Sequence, residues 1–277
     1  MKNLVISFSG GRTSAFMTKF ILEHKKYEDY NKIIVFANTG KEKEETLEFV
    51  NDCDKTWGFN VVWVEADVIP EKGVGTNFKI VNFETASRNG EPFEDVIKKY
   101  RLPTIIGSHC TRDLKLAPIN KYLKSLNLNG DIYTAIGIRY DERNRMSNTA
   151  HEKKIIYPLI DDIQIDSSFI RKWWSSQDFD LKLKDYQGNC DLCFKKSINK
   201  RLTLIKEDPS ISDWWQEMEN KYSDDTVPRF DLRTNLSINQ LIDMAKKPFK
   251  NVEDIHELSK KQMNLFNISV DCLCKTT

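Results

Sequence analysis

The sequence lacks any long apolar run. No segment approaches the roughly 20 apolar residues needed to span a bilayer. The start, Met1-Lys2-Asn3-Leu4-Val5-Ile6, reaches Ser7 before it can form the apolar stretch of a signal peptide. These absences predict a cytoplasmic protein with no membrane segment. There is also no surplus of charge: 42 basic residues nearly cancel 41 acidic ones. Net charge therefore gives no argument for a nucleic-acid partner, although a local basic surface stays open. Cysteine is sparse, with six in 277 residues. That is too few for a disulfide scaffold, and clustered cysteines are better read as metal ligands or redox groups. Internal repeats and low-complexity tracts are absent, and a composition 40% hydrophobic and 30% charged excludes a disordered or collagen-like chain.

What the sequence does have is alternation. Leu4-Val5-Ile6-Ser7-Phe8 is a compact strand ended by Gly10-Gly11, and residues 12–24 read as a helix with Phe16/Phe20 and Met17/Ile21 at i, i+4. Lys32-Ile33-Ile34-Val35-Phe36-Ala37 is a second strand closed by Asn38-Thr39-Gly40. Residues 42–57 follow as a helix, with Leu47, Val50 and Cys53 on one side. Val61-Val62-Trp63-Val64 and Asp131-Ile132-Tyr133-Thr134-Ala135-Ile136 supply two more strands. Strands alternating with helices predict an α/β fold, a parallel twisted sheet with helices on both faces and its loops along one ligand-binding edge. Beyond about residue 155 the texture turns helical, around residues 168–176 and 194–206. The expected division is a nucleotide-binding domain at 1–155 and a mostly helical region at 156–277, with no flexible linker between them. Trp173-Trp174 and Trp214-Trp215 read as core packing.

Ser7-Phe8-Ser9-Gly10-Gly11-Arg12-Thr13-Ser14 joins the first strand to the first helix. Glycines let the backbone approach an anion without a Cβ clash, and the unpaired N–H groups of a helix start point toward it. Ser9, Thr13 and Ser14 add hydroxyl donors. The run is neither a Rossmann G-x-G-x-x-G nor a Walker loop. Alone it fits a phosphate site or an ordinary glycine turn.

The run is similar to the Ser-Gly-Gly-x-x-Ser loop of the PP-loop superfamily, whose members cleave ATP between the α and β phosphates or bind related adenylyl compounds. The resemblance implies nucleotide contacts from Ser7, Ser9, Gly10, Gly11, Arg12, Thr13 and Ser14, with magnesium where ATP is the ligand. The commonest ATP-cleaving form has Asp where this chain has Thr13. Later segments resemble the phosphoadenosine phosphosulfate (PAPS) reductase branch, in order. Asn38-Thr39-Gly40 with Glu45-Thr46 is similar to its Asp-Thr-Gly…Glu-Thr element, a turn expected to border the adenine. Cys110-Thr111-Arg112-Asp113-Leu114-Lys115 with Pro118 resembles its Cys-x-x-x-Leu-Lys…Pro segment, in which Lys115 or Arg112 offers a cation to phosphate or sulfate. Gly137-Ile138-Arg139-Tyr140-Asp141-Glu142 with Arg145 resembles its Gly-Ile-Arg-x-Asp…Arg motif, and Tyr157-Pro158-Leu159-Ile160 is the next landmark. The resemblance spans residues 4 to about 205. It implies an enzyme binding ATP or PAPS, with Gly137 in the nucleotide site and Arg139, Arg145, Lys115 and Cys272 as catalytic candidates.

Cys190-Asp191-Leu192-Cys193 is a Cys-x-x-Cys pair, a spacing that lets two thiolates reach one metal or form a redox couple. The resemblance places Cys110 near the same edge, and Cys272-Leu273-Cys274 adds two thiols. The expectation is a centre of Cys110, Cys190 and Cys193 with Cys274 or Cys272 as the fourth ligand, holding an iron–sulfur cluster (4Fe–4S) or zinc. Metal-free redox or persulfide chemistry and inert thiols are the alternatives. Cys53 reads as core, and His109 as a ligand or a structural residue. Lys195, Lys196, Lys200 and Arg201 read as a solvated helix face, or else as phosphate contacts.

Two reactions fit. In one, a substrate oxygen attacks the α-phosphorus of ATP, pyrophosphate leaves, and sulfur displaces AMP. In the other, a thiolate attacks the sulfonate sulfur of PAPS and a second thiol releases sulfite. Each needs a sulfur donor or a thiol reductant. A nucleic-acid acceptor suits the first, a homodimer is compatible with either, and a non-catalytic nucleotide-binding module is the remaining reading.

Overall fold

The computed structural model describes residues 2–71, 73–103, 108–223 and 236–254, so Cys272 and Cys274 lie outside the described residues. Six strands form one sheet in the order β4-β3-β2-β1-β5-β6. They are β1 (Lys2–Ser7), β2 (Tyr30–Asn38), β3 (Val62–Asp67), β4 (Asn77–Val81), β5 (Ile132–Ala135) and β6 (Ile155–Ile156). All neighbours are parallel except β3 and β4. The antiparallel edge strand is the departure from the expected parallel sheet. Asn77-Phe78-Lys79-Ile80-Val81 escapes a search for buried apolar runs because most of it is exposed. Lys79 secures it by pairing with the buried Glu65 of β3 at 2.9 Å.

Between β1 and β2 runs α1 (Arg12–Glu23), and between β2 and β3 runs α2 (Glu44–Trp57). Successive strand residues point to opposite faces, and both faces are covered. Leu4, Ile6, Ile34, Phe36 and Trp63 pack with Ala15, Met17 and Ile21 of α1 and with Leu47, Val50 and Cys53 of α2. Val5, Ile33, Val35, Ala37 and Val64 face the other way, onto Tyr122. Tyr122 belongs to a chain of short helical pieces that begins after α3 (Glu91–Tyr100) with α4 (His109–Thr111). A π-helical turn, Arg112–Leu116, then leads into α5 (Ala117–Ser125). Burial on both faces is why these strands read as continuous apolar runs.

The remaining described helices are α6 (Pro158–Asp161), α7 (Ser167–Ser175), α8 (Ile198–Glu207), α9 (Asp213–Tyr222) and α10 (Ile238–Ala245). Leu159, Ile170 and Trp174 join the sheet's first core. Phe93, Val96 and Ile97 of α3 and Leu114 share a second core with Leu192, Phe194, Leu202, Trp215 and Leu241. Residues on both sides of position 155 therefore pack into common cores. Trp174 and Trp215 are fully buried, and their neighbours Trp173 and Trp214 pack at the edges of the same cores. Among the described residues, no helix is long and apolar enough to cross a membrane.

The strand order fixes where a ligand can enter. The chain leaves β1 toward β2 and β3, then returns to place β5 on the other side of β1. A crevice opens at such a reversal, outside the carboxyl ends of the two strands. The loops emerging there are those of Gly10-Gly11 and Gly137. Gly10 holds φ +72°, and a Cβ on it would lie 2.6 Å from Thr46 Cγ2 and 3.1 Å from both Phe36 Cε2 and Val50 Cγ2. Gly10→Ala should therefore lower stability by about 2–4 kcal/mol through combined backbone strain and overpacking. Chemical denaturation should show a reduced midpoint; an unchanged one contradicts this geometry.

Candidate functional site

The β1–α1 loop is stitched together from inside by Ser14. The N–H groups of Ser9 and Gly11 donate to its Oγ at 3.2 and 3.3 Å, and the hydroxyl itself donates to Gly11 O at 2.9 Å. Ser14 is buried, so it shapes the loop from beneath. The first helical amides, of Arg12, Thr13 and Ser14, find no acceptor among the described residues. They stand at the positive end of the α1 dipole, an arrangement suited to an anion. Gly11 has φ −109° and its missing Cβ faces open space, with Ser9 Oγ nearest at 3.8 Å.

Arg12 does not turn its side chain toward that space. Its Nε donates to Asp180 at 2.7 Å, its Nη1 to Leu183 O at 3.1 Å, and its Nη2 to Leu181 O. Trp174 Nε1–H closes the contact on Arg12 O at 3.0 Å. Of the expected ligand donors in the loop, Arg12 thus offers its backbone, while its guanidinium clamps the 180–185 segment. Ser7, at the end of β1, lies outside the cleft lining.

The loop forms one wall of a cleft of about 540 Å³. Gly137, Arg139 and Arg145 line it, as do Lys115 and Glu42. Arg139 Nη1 donates to Thr13 Oγ1 at 3.1 Å, joining the β5 loop to the phosphate loop. Its remaining nitrogens pair with Asp141 at 3.0 Å and Glu142 at 3.2 Å. Arg145 pairs with Glu142 and is mostly exposed. Gly137 lies against the first turn of α1, where a Cβ on it would be 3.4 Å from Ser14 Cα. Lys115 reaches the cleft from the π-helical turn. Pro118 has no N–H to donate, and the Ala117 N–H instead reaches back five residues to Arg112 O. Asn38, Thr39 and Gly40, expected at the nucleotide, do not line this cleft. Asn38 is buried, donating to Glu65 at 2.6 Å and to Ser87 O at 2.8 Å. Thr39 is buried against Glu42 and Cys190, and Gly40 is packed against Pro92 and Gly90.

Glu42, which no motif singled out, links these groups. Its Oε2 accepts from Thr39 N–H at 2.8 Å and Thr39 O–H at 2.7 Å. Its Oε1 is buried without a hydrogen-bond partner, and Lys115 Nζ lies 3.5 Å from it. Burial opposes the Lys115 charge, but the Glu42 carboxylate outweighs it and holds the pKa above the usual lysine range. Thr39 Oγ1 also lies 3.5 Å from Cys190 Sγ. Because the Thr39 proton goes to Glu42, the Cys190 thiol is the donor in that contact. Burial, reinforced by Glu42, pushes the Cys190 thiol up against the pull of Lys115. Lys200, one of the basic residues open to a phosphate contact, lines the cleft, as does Arg171, whose lone charge on a helix gives no sequence signal of that.

Cys110, Cys190 and Cys193 share one apolar cluster, and Lys195 ties the two segments together through Thr111 Oγ1 at 3.3 Å. Burial, reinforced by Cys193, raises the Cys110 thiol. A zinc or iron–sulfur centre takes a closed set of thiolates. Among the described residues, no group of three or more His, Cys, Asp or Glu side chains is arranged to hold a metal ion. The described thiols do not by themselves complete a metal site. In the basic run after the pair, Lys196 and Arg201 are buried and so do not belong to a solvated helix face. Lys196 Nζ caps the cysteine turn, donating to Asp191 O at 2.9 Å and Gln187 O at 3.3 Å, and burial lowers its pKa to about 8. His109 stacks on Tyr100 with ring centroids 4.9 Å apart.

The sequence profile of the phosphoadenosine phosphosulfate reductase domain matches residues 3–155, more than half of the chain. The chain belongs to the phosphoadenosine phosphosulfate reductase domain family. An uncharacterized nin-region protein of Escherichia phage lambda is 33% identical over 217 residues, covering 77% of this chain and 73% of that protein. Two uncharacterized proteins of Methanocaldococcus jannaschii are 24% and 26% identical over 237 and 170 residues. This chain covers only 42% and 34% of their lengths. Family membership brings a nucleotide-binding function at the level of the domain, and residues 3–155 contain both loops that meet at Thr13 and Arg139.

Two measurements probe this geometry. Gly11→Val should keep the melting temperature within a few degrees, yet place a branched side chain where a phosphate must approach; calorimetry should show ATP and PAPS binding lost. Retained affinity would remove the loop from the site. Alkylation of native protein followed by peptide mass analysis should modify Cys193 and Cys110 well before the buried Cys53 and Cys190. Equal protection of Cys110, Cys190 and Cys193, with stoichiometric metal, would indicate a shared centre instead.

Proposed function

We propose that this chain is an enzyme that binds an adenine nucleotide at the β1–α1 loop and uses it for sulfur transfer, by adenylation of an acceptor oxygen. The supporting observation is the single cleft onto which the loop, Arg139, Lys115 and Glu42 open, with Cys190 one hydroxyl away from Glu42. In this reading the loop amides hold the phosphates and Arg139, already bonded to the loop, neutralises charge as it builds on them. Lys115 reaches the phosphates within the same cleft. An acceptor oxygen attacks the α-phosphorus and expels pyrophosphate; sulfur from a donor then displaces AMP. The double-glycine loop, with its first helical amides at the cleft, suits the polyphosphate of ATP. Arg139, Arg145 and Lys115 each face a carboxylate, and Arg171 and Lys200 add a basic surplus that matches its charge.

The thiols of Cys110, Cys190 and Cys193 are proposed as the sulfur-handling groups. A zinc ion or iron–sulfur cluster there would need Cys272 or Cys274 to complete its ligands. Sulfonucleotide reduction is the competing reaction, with Cys272 as its thiolate, and a binding module without turnover is the other alternative. Assays for pyrophosphate and sulfite release separate all three. ATP-dependent pyrophosphate release, stimulated by a sulfur donor and acceptor, is the expected outcome. Arg139→Ala should slow it on the order of 100-fold with little change in thermal stability. Sulfite release from PAPS, or nucleotide binding with neither product, would replace this reading.

A further inference from the structure

A second groove, of about 440 Å³, shares no lining residue with the nucleotide cleft. The two flank the same π-helical turn, with Lys115 in the cleft and Arg112 and Asp113 in the groove. Asp113 is buried and accepts from Thr76 O–H at 2.9 Å and from Arg112 Nε–H at 2.7 Å. The Arg112 guanidinium also lies over the Tyr100 ring, 4.7 Å from its centroid. These two contacts fix its plane, and its Nη groups have no hydrogen-bond partner among the described residues. One wall is the Gly73–Thr76 stretch of the β3–β4 connection, in which Gly73 and Gly75 leave open space. Buried Lys99 pins this stretch from beneath, donating to Ile69 O at 2.7 Å and Val74 O at 2.6 Å. The other wall is α5, whose Lys121 and Lys124 are exposed, one helical turn apart, and without an ion-pair partner among the described residues.

We propose that this groove binds a single-stranded nucleic acid through its phosphodiester backbone. Three cations line it against one carboxylate, and that carboxylate is already committed to Thr76 and Arg112. The chain as a whole carries a net charge of only +1, so this local surplus is not the by-product of a basic protein. A guanidinium held flat with its Nη pair outward matches the paired oxygens of a phosphate. Lys121 and Lys124 add point charges along the α5 wall, as backbone neutralisation along a strand requires. The groove is more open than the nucleotide cleft, which suits a passing strand better than an enclosed single anion. Its position across the Arg112–Leu116 turn from the cleft would bring the bound strand to the flank of the nucleotide site, but the binding itself does not depend on the proposed reaction.

The test is fluorescence anisotropy of the full chain with a labelled single-stranded oligonucleotide of about 16 nucleotides, without ATP and over a range of salt. Binding should weaken linearly in log affinity against log salt concentration. Lys121→Glu with Lys124→Glu should weaken it about tenfold or more, with ATP affinity by calorimetry and melting temperature unchanged. Unaltered oligonucleotide affinity in that variant would overturn the proposal. Displacement of the strand by inorganic phosphate or by polyglutamate, well beyond that caused by chloride at the same ionic strength, would do so too, since it would mean a simple anion or an acidic chain is the occupant. Because ATP is absent, failure here leaves the nucleotide reading untouched, and failure of ATP binding leaves this one untouched.

Discussion

Gly10 has no room for a β-carbon, and the site is built on that fact. Its left-handed backbone turns the chain beneath Thr46 and Val50 of α2, close enough that any side chain would collide with them. The turn aims the first amides of α1 outward at the crevice between β1 and β5. Ser14 then locks the turn through its hydroxyl, and the β5 loop at Gly137 lies against the same helical turn. Only when these approaches hold can Arg139 reach Thr13. The phosphate loop, the arginine loop and the sheet's strand order are thus a single constraint expressed at three positions.

A second layer of organisation is electrostatic. Lys115, Arg139 and Arg145 are each held by carboxylates, Glu42 among them. Such pairing fixes long side chains in place, while Arg171 and Lys200 leave the cleft lining with more basic than acidic side chains. Arg12 extends the same logic away from the ligand: its guanidinium holds the 180–185 segment, which leads into the cysteine turn. Lys41, paired with Asp191 at 3.3 Å, ties that turn to the end of β2. The cysteine pair is therefore positioned by the same loops that form the phosphate site.

Much of this was legible in the chain itself. The βαβ alternation and the glycine loop follow from period and composition, because burial on both sheet faces demands continuous apolar strands and close backbone approach demands glycine. The motif around Arg139 was legible for a related reason: a strand that ends at the ligand edge must present its next residues there. The antiparallel β4 was not, since an exposed edge strand carries no apolar pattern. Nor were Glu42, Arg171 and the burial of Lys196 and Arg201, because a charged side chain inside a fold looks the same in sequence as one in water.

The sequence by itself determined which backbone segments carry the loops of the ligand edge, since strand–helix alternation and glycine positions are local, patterned properties, whereas the strand order that sets β5 beside β1 is tertiary. Tertiary structure alone decided where the side chains on those segments point. Arg12 turns away to Asp180, Asn38 and Thr39 are consumed by buried hydrogen bonds, and Cys190 donates to Thr39 within reach of Glu42. Apart from the Thr39–Glu42 bonds, each of those outcomes depends on a partner tens of residues away or more, and hydrogen-bond geometry across such distances leaves no periodic trace along the chain.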